Sequence, residues 1–329
     1  MSYAIELARS VRDINTNDAM RSYADLQKLN CDESYPGFSR AGLKALDYFF
    51  FHHRIKAKTK NTSFYDAMHD EEMVKHLDML VVRYKKATVD DVAAMEMSAL
   101  QRHRYSVFQL YYGSVNQFRP AVAKWLYCLL NARVGILDFS AGWGGRCLAA
   151  MSLGIPYIGI DTNTNLKGAY AQMIRAYEPT CRASLLFKSA EDVDFSQFKY
   201  DLCFTSPPYF KLEQYEHMPH YPTKESFLEV FFRPVVFKAW KYLRCGGHLA
   251  LNMPHEMYLA IQDMLPPIVH VLRFPIANKH PRAASHGTPI PPKVKNDRSE
   301  AIYVWRKAPR TASKSPSSSP RARHVTRAL

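Results

Sequence analysis

The sequence predicts an α/β fold: a mostly parallel sheet of seven strands with helices on both faces, preceded by a helical N-terminal region. Three observations predict it. From Asn131 onward, short apolar, β-rich runs alternate with helical patterns. Strands separated by crossover helices pair in parallel. Before about residue 110, apolar residues recur at helical spacing instead.

Each element follows from its local pattern. In the helical region, 1–110, Leu43, Leu46 and Phe50 share one helix face, as do Val74, Leu77 and Leu80. Pro36 with Gly37, and the stretch 58–63, read as breaks between helices. In the second region, 111–307, the strand candidates are 134–139, 157–161, 184–188, 201–205, 248–252, 268–274 and 301–306. The late pair closing the chain fits a Rossmann-like sheet whose last strand is antiparallel. No internal repeat is visible. The final segment, 308–329, is rich in Ser, Pro and Arg; it cannot bury enough apolar surface to fold alone and reads as a disordered basic tail.

Composition bounds the function. With 329 residues, 47% hydrophobic and 22% charged, the chain can build one large core or two ordinary ones. It is not disordered, collagen-like or disulfide-dense. No run of about 18 apolar residues occurs, so no membrane-spanning helix is expected. The stretch 1–9, with Glu6 inside it, lacks the basic-then-apolar layout of a secretory signal. Cys31, Cys128, Cys147, Cys181, Cys203 and Cys245 lack any CxxC spacing. They read as reduced, mostly packed thiols of an intracellular protein, cytoplasmic or nuclear, and not as a zinc module.

The net charge of +14 is the one extreme value. Half of it lies in 306–329, which holds seven Lys or Arg and no acid. The rest gathers in runs: Arg54, Lys56, Lys58 and Lys60; Arg83, Lys85 and Lys86; Arg102 and Arg104. A single run is ordinary solvated surface. Three runs and a basic tail point to a nucleic acid.

Two strand ends carry the chemistry. The first candidate strand leads into Ser140-Ala141-Gly142-Trp143-Gly144-Gly145-Arg146 and then an Ala-rich helical segment. Ligands of open α/β sheets bind at the carboxyl ends of strands, where glycines permit close backbone approach. The second strand ends about 20 residues on in Asp161, placed to accept hydrogen bonds from a ribose diol. The turn is neither GxGxxG nor a phosphate-cradling GxxxxGK[ST]. Asp138, read as part of the turn, would repel a pyrophosphate but suits a cationic sulfonium. After the third strand, Glu191 or Asp192 can accept from an adenine amine; a helix N-cap with Ser189 is the equal alternative. The fourth strand ends in Ser206-Pro207-Pro208-Tyr209. Consecutive prolines make a stiff turn with the Pro207 carbonyl left to accept. Beside Ser206 it gives two acceptors, the pair an amino group needs, and Tyr209 offers a flat face for stacking a base.

The segments DFSAGWGGR (138–146) and TSPPY (205–209) resemble the S-adenosylmethionine-dependent amino-methyltransferases of DNA, which carry an FxGxG-like cofactor motif and a [DNS]PP[YFW] catalytic motif. The resemblance covers roughly 111–307. It implies the Rossmann-like seven-stranded sheet of class I methyltransferases, with S-adenosylmethionine as cofactor. Arg119-Pro120, within QFRPAVAKW, resembles the helix that precedes the family's cofactor motif and lines the methionine end of the cofactor. Leu243-Arg244-Cys245-Gly246-Gly247-His248 resembles the turn before its fifth strand. The chain departs from the family in having Ser-Ala after Phe139. Only about 60 residues separate the two motifs, leaving no room between them for a recognition domain.

The implied scheme extrudes a base from its stack and holds its exocyclic nitrogen on Ser206 and the Pro207 carbonyl. It needs no covalent enzyme intermediate. Ring-carbon methylation would need a thiolate in the cleft, and no cysteine follows a proline there. In the family, Ser at the first motif position goes with cytosine N4, and Asp or Asn with adenine N6. DNA is the expected partner and cytosine N4 the leading target. Adenine N6, an RNA base, or a degenerate DNA-binding protein are the alternatives. The loops 210–224, with His217 and His220, and 277–298, with Lys279, His280, Arg282, Lys293 and Lys295, are candidate substrate contacts. With no third ligand beside the histidines, no metal is expected.

Overall fold

The chain is described from a computed structural model, which covers residues 2–31, 35–37, 39–58, 62–177, 182–209, 219–273 and 300–309. Lys60, Cys181, His217, the loop 277–298 and the tail beyond 309 therefore lie outside the described residues, as does most of 210–224.

Several helices, α2, α4, α5 and α6 among them, begin where a side chain supplies a cap. In α1 (Tyr3–Val11), Ala4, Leu7, Ala8 and Val11 are buried at helical spacing. In α2 (Thr16–Lys28) the Asn15 side chain accepts from the Asp18 N–H at 2.8 Å. The third helix, α3 (Leu43–Arg54), starts after Gly42 and buries Leu46 and Phe50, two of its three predicted face residues. A single turn, α4 (Phe64–Ala67), is capped by Ser63. Asp70 caps α5 (Glu71–Lys85), and a Thr88–Asp91 capping box opens α6 (Val89–Ala93). α7 (Met97–Tyr112) ends the helical region at Gly113. α8 (Pro120–Leu129) has proline at its first position, where the missing N–H costs nothing.

The sheet follows the predicted order of events. Its strands are β1 (Ile136–Asp138), β2 (Tyr157–Asp161), β3 (Ala183–Phe187), β4 (Leu202–Thr205), β5 (His248–Pro254), β6 (His270–Arg273) and β7 (Glu300–Arg306). The spatial order is β3-β2-β1-β4-β5-β7-β6. The first five pair in parallel, and β7 runs antiparallel to both neighbours. This is the Rossmann-like seven-stranded sheet with an antiparallel last strand that the sequence predicts. Helices α9 (Gly145–Ser152) and α10 (Lys167–Tyr177) follow β1 and β2. After β4 come α11 (Lys224–Ser226), a π-helical stretch Phe227–Phe232, α12 (Arg233–Tyr242) and, past β5, α13 (His255–Leu259).

Strand periodicity sorts side chains onto two faces. Ile136, Leu202, Phe204, Ala250 and Ile302 meet α2, α3, α8, α9 and α10 in one core. Leu137, Cys203, Leu249, Leu251 and Tyr303 meet the π-helical stretch, α12 and α13 in the other. A third cluster joins α1, α4, α5, α6 and α7. Helix α3 belongs to two of them: Phe49 and Phe50 face the sheet-side core, Phe51 and the following Ile55 the helical one. That shared helix fixes the N-terminal region against the sheet.

Two expectations are corrected. The cysteines are not all thiols: Cys31 and Cys128 are joined as a disulfide, 97 residues apart with Cα atoms 5.8 Å apart. The end of α2 packs on α8, where Lys124 Nζ donates to the carbonyls of Leu26 and Gln27 at 2.7 and 2.8 Å. Spacing in sequence carries no trace of such a long-range approach. The basic runs also lose members. Arg54 is 5% exposed and paired with Asp47 at 3.1 Å. Arg104 is 8% exposed and holds both oxygens of Asp78, at 2.6 and 2.7 Å. These guanidiniums are internal cross-links.

Candidate active site

Between β1 and β4 the chain's progress across the sheet reverses, so their carboxyl ends bound a crevice. Apart from Arg119, which precedes α8, the predicted site residues sit at the ends of β1, β2, β3 and β4.

At β1, Asp138 lies inside the strand and is fully buried, so the expectation that it presents charge from the turn is corrected. Arg146, from the first turn of α9, donates to it through Nε at 2.6 Å and Nη2 at 3.3 Å. The Tyr157 hydroxyl donates at 2.6 Å. Arg146 also donates to the Ser140 carbonyl and is capped by the rings of Phe118 and Phe204, 5.5 and 5.9 Å away. Burial, the largest single influence, would lower the Arg146 pKa, but Asp138, Tyr157 and Tyr127 together outweigh it and the net direction is upward. Burial first, then Asp138, pushes the Tyr157 phenol well up. A carboxylate so neutralised ties strand to turn and offers no field to a cation.

The glycine turn hangs on this pair. Ala141 is buried and donates its N–H to the Ile160 carbonyl at 2.9 Å. Gly142 has φ 59, donates to Asp161 Oδ2 at 2.7 Å and accepts from the Tyr170 hydroxyl at 2.9 Å. Gly144 caps α9 with φ 79, under the Phe50 ring. At Gly145 an added Cβ would fall 2.1 Å from the Phe118 carbonyl oxygen, so only glycine lets 118 cross the turn. Arg119, next along, is exposed and donates to the Gly37 carbonyl.

Asp161 sits beside the turn as expected. Its second oxygen accepts from Asn163 N–H at 2.9 Å. Burial raises its pKa, against the lowering effect of the Asn163 and Gly142 N–H groups. Each oxygen keeps a further lone pair for a ligand hydroxyl. At β3, residues Ala190–Asp192 form one 3-10 turn, and Ser189 makes no side-chain cap there. Glu191 accepts from Tyr221 at 2.8 Å and from Ser189, while Asp192 is exposed. Lys238 Nζ donates to the carbonyls of Ala190, Glu191 and Val193 at 3.0, 2.6 and 3.1 Å, holding that turn to α12.

At β4, Ser206 is half-buried, Pro207 buried and Pro208 half-buried. Among the described residues no donor reaches the Pro207 carbonyl. Tyr209 differs from expectation: its ring is 6% exposed and packed in the second core, and its hydroxyl points inward to the Asn252 carbonyl at 3.2 Å. It is not an open stacking face. Sequence reading missed Asn252 altogether. The pairing of Thr205 with Leu251 brings it beside Ser206, where its amide donates to Oγ at 3.2 Å. A lone asparagine in an apolar strand was the available signal. His220 is exposed.

No protein-family model and no curated protein matches the chain. Among solved structures it is similar to a SAM-dependent O-methyltransferase from Thermotoga maritima, at 13% identity over 62% of this chain and 72% of that one, with a TM-score of 0.40. An rRNA methylase from Streptococcus thermophilus is 12% identical over 59% of this chain and 99% of its own, TM-score 0.37. TrmN from Thermus thermophilus is 15% identical over 72% and 79%, TM-score 0.36. At such values these likenesses say nothing about substrate, and the chain's own residues must carry the function.

Proposed function

We propose that the chain is a methyltransferase that uses S-adenosylmethionine to methylate the exocyclic amine of a nucleic-acid base, with cytosine N4 in DNA the leading target and adenine N6 next. The carrying observation is the Ser206-Pro207-Pro208-Tyr209 turn ending β4 beside the glycine turn ending β1, at the reversal of the sheet order.

The residues present fit the cofactor. Above Gly142 an added Cβ would meet nothing nearer than the Ser140 carbonyl oxygen at 3.9 Å, which supports a ligand lying on that backbone. The turn from Ser140 to Gly144, Asp161, Glu191 or Asp192, and Arg119 would hold it. When bound, it supplies a methyl group activated by a sulfonium. The protein's part is positioning. Ser206 and the Pro207 carbonyl accept the two N–H bonds of the amine, drawing its lone pair out of conjugation with the ring. The two prolines hold those acceptors fixed, so little reorganisation is needed at the moment of reaction. Ser206, Tyr209 and Asn252 are neutral groups and serve to orient the nitrogen.

Incubation with labelled S-adenosylmethionine and separate DNA and RNA pools, followed by nucleoside mass analysis, tests this. N4-methylcytosine in DNA is expected. N6-methyladenine or a methylated RNA base would move the target, and absence of transfer to either pool would overturn the reading.

A further inference from the structure

Ser206 does not stand alone. Tyr209 and Asn252 form a ring of hydrogen bonds with it, and counting protons fixes their directions. The Tyr209 hydroxyl has one proton, and the Asn252 backbone carbonyl takes it at 3.2 Å. Toward Ser206, 3.4 Å away, Tyr209 is therefore the acceptor, and the Ser206 proton points at it. The Asn252 amide donates to Ser206 Oγ at 3.2 Å. One lone pair and the only proton of Ser206 are thus committed inside the protein, leaving one lone pair for the crevice. Asn252 is 6% exposed and Tyr209 likewise, so water does not compete for these bonds.

We propose that Asn252 and the Tyr209 hydroxyl are positioning groups that convert Ser206 from a rotatable hydroxyl into a fixed acceptor, so that the site admits bases carrying an amine and rejects those carrying a carbonyl oxygen in its place. An unrestrained serine hydroxyl turns to donate to a carbonyl as readily as it accepts from an amine. Here the Ser206 proton is held away, and the oxygen of uracil, thymine or hypoxanthine meets a lone pair and the Pro207 carbonyl. Repulsion between acceptors, with a buried acceptor left unpaired, discriminates far better than shape alone. The inference rests on the amine-base reading above and adds how a neutral serine performs a task otherwise suited to a carboxylate.

The test uses binding, not turnover. Twenty-nucleotide single strands of thymine with one central cytosine or one central adenine compete against all-thymine strands for the full chain, with S-adenosylhomocysteine present. The wild type should prefer an amine-bearing strand by about tenfold or more. Tyr209→Phe removes one oxygen, and Asn252→Leu removes the amide at similar size; each should reduce the preference to about twofold. Ser206→Asp supplies an acceptor that needs no orienting. In that background Tyr209→Phe should leave the preference unchanged, which a merely structural role for the phenol would not produce. Thermal melts establish which variants are folded, and either folded variant suffices. If the wild type shows no preference, the amine-base reading falls. If the wild type discriminates while folded Tyr209→Phe or Asn252→Leu keeps the full ratio, the positioning role falls alone.

Discussion

Asp138 and Arg146 are the residues on which both the turn and its stability depend. A fully buried carboxylate is tolerable only while its guanidinium and phenol donors stay in place. Arg146→Met keeps the volume and removes the charge, stranding Asp138; the expected loss is about 3–5 kcal/mol in urea denaturation. Adding Asp138→Asn should restore much of it, because the cost lies in the orphaned charge. Failure of the double variant to recover would mean that packing dominates the site. His53 gives a second residue-scale test. Burial, with help from His52 and Lys56, lowers its pKa from 6.5 to about 4. The folded state therefore binds fewer protons than the unfolded chain between those values, so stability falls as pH drops from about 6.5 to about 4 and the loss is complete below that. His53→Gln should melt with a shallower acid dependence than the wild type over that window; an identical profile would remove His53 from the account.

At the scale of elements, the glycine turn separates folding from ligand access. Gly145→Ala drives a Cβ into the Phe118 carbonyl, so the backbone must move and stability should fall by at least about 1–3 kcal/mol. Gly142→Ala meets only the Ser140 carbonyl oxygen, at an ordinary contact distance of 3.9 Å, so the fold should lose only the left-handed backbone cost of about 1–2 kcal/mol while S-adenosylhomocysteine binding by calorimetry collapses. Equal effects on both properties from both variants would show that the turn has no ligand face. The strands themselves were legible because apolar runs bounded by Gly, Pro and Asp announce each of them, and all seven were anticipated within a few residues of their ends. The two turns were legible as sequence-local units. What escaped depends on contacts between distant segments: Asn252 reaches Ser206 only through the β4–β5 register, and Arg146 neutralises Asp138 only once α9 packs back on β1. Tyr209 reads from sequence as an open stacking face, but its orientation is set by Asn252 and the core around it. Cys31 and Cys128 belong with these, since α2 and α8 meet by tertiary packing alone.

Over the whole molecule, the proposed function assigns charge and choice to different parts. With Arg54 and Arg104 turned inward, the exposed positive residues left in the described part of the three runs are Lys56 and Lys58 after α3, Arg83, Lys85 and Lys86 at the end of α5, and Arg102 on α7. Lys85 and Arg102 stand close enough to His103 to add to the lowering of its pKa by burial. The largest block of charge is the segment past residue 309, which holds Arg310, Lys314, Arg321, Arg323 and Arg327 and no acid. Such a segment meets phosphates without reading bases, and its affinity is entropic release of counterions. Truncation after Pro309 should therefore weaken binding to every single strand alike and flatten the plot of log affinity against log salt, by up to about 0.7 for each phosphate the tail had neutralised. The ratio between amine-bearing and all-thymine strands should stay at the full-length value, because Ser206, Tyr209 and Asn252 are untouched. Unchanged salt dependence would assign the phosphate contacts to basic residues before 310, and a changed ratio would mean that the tail reaches the crevice and takes part in selecting the base.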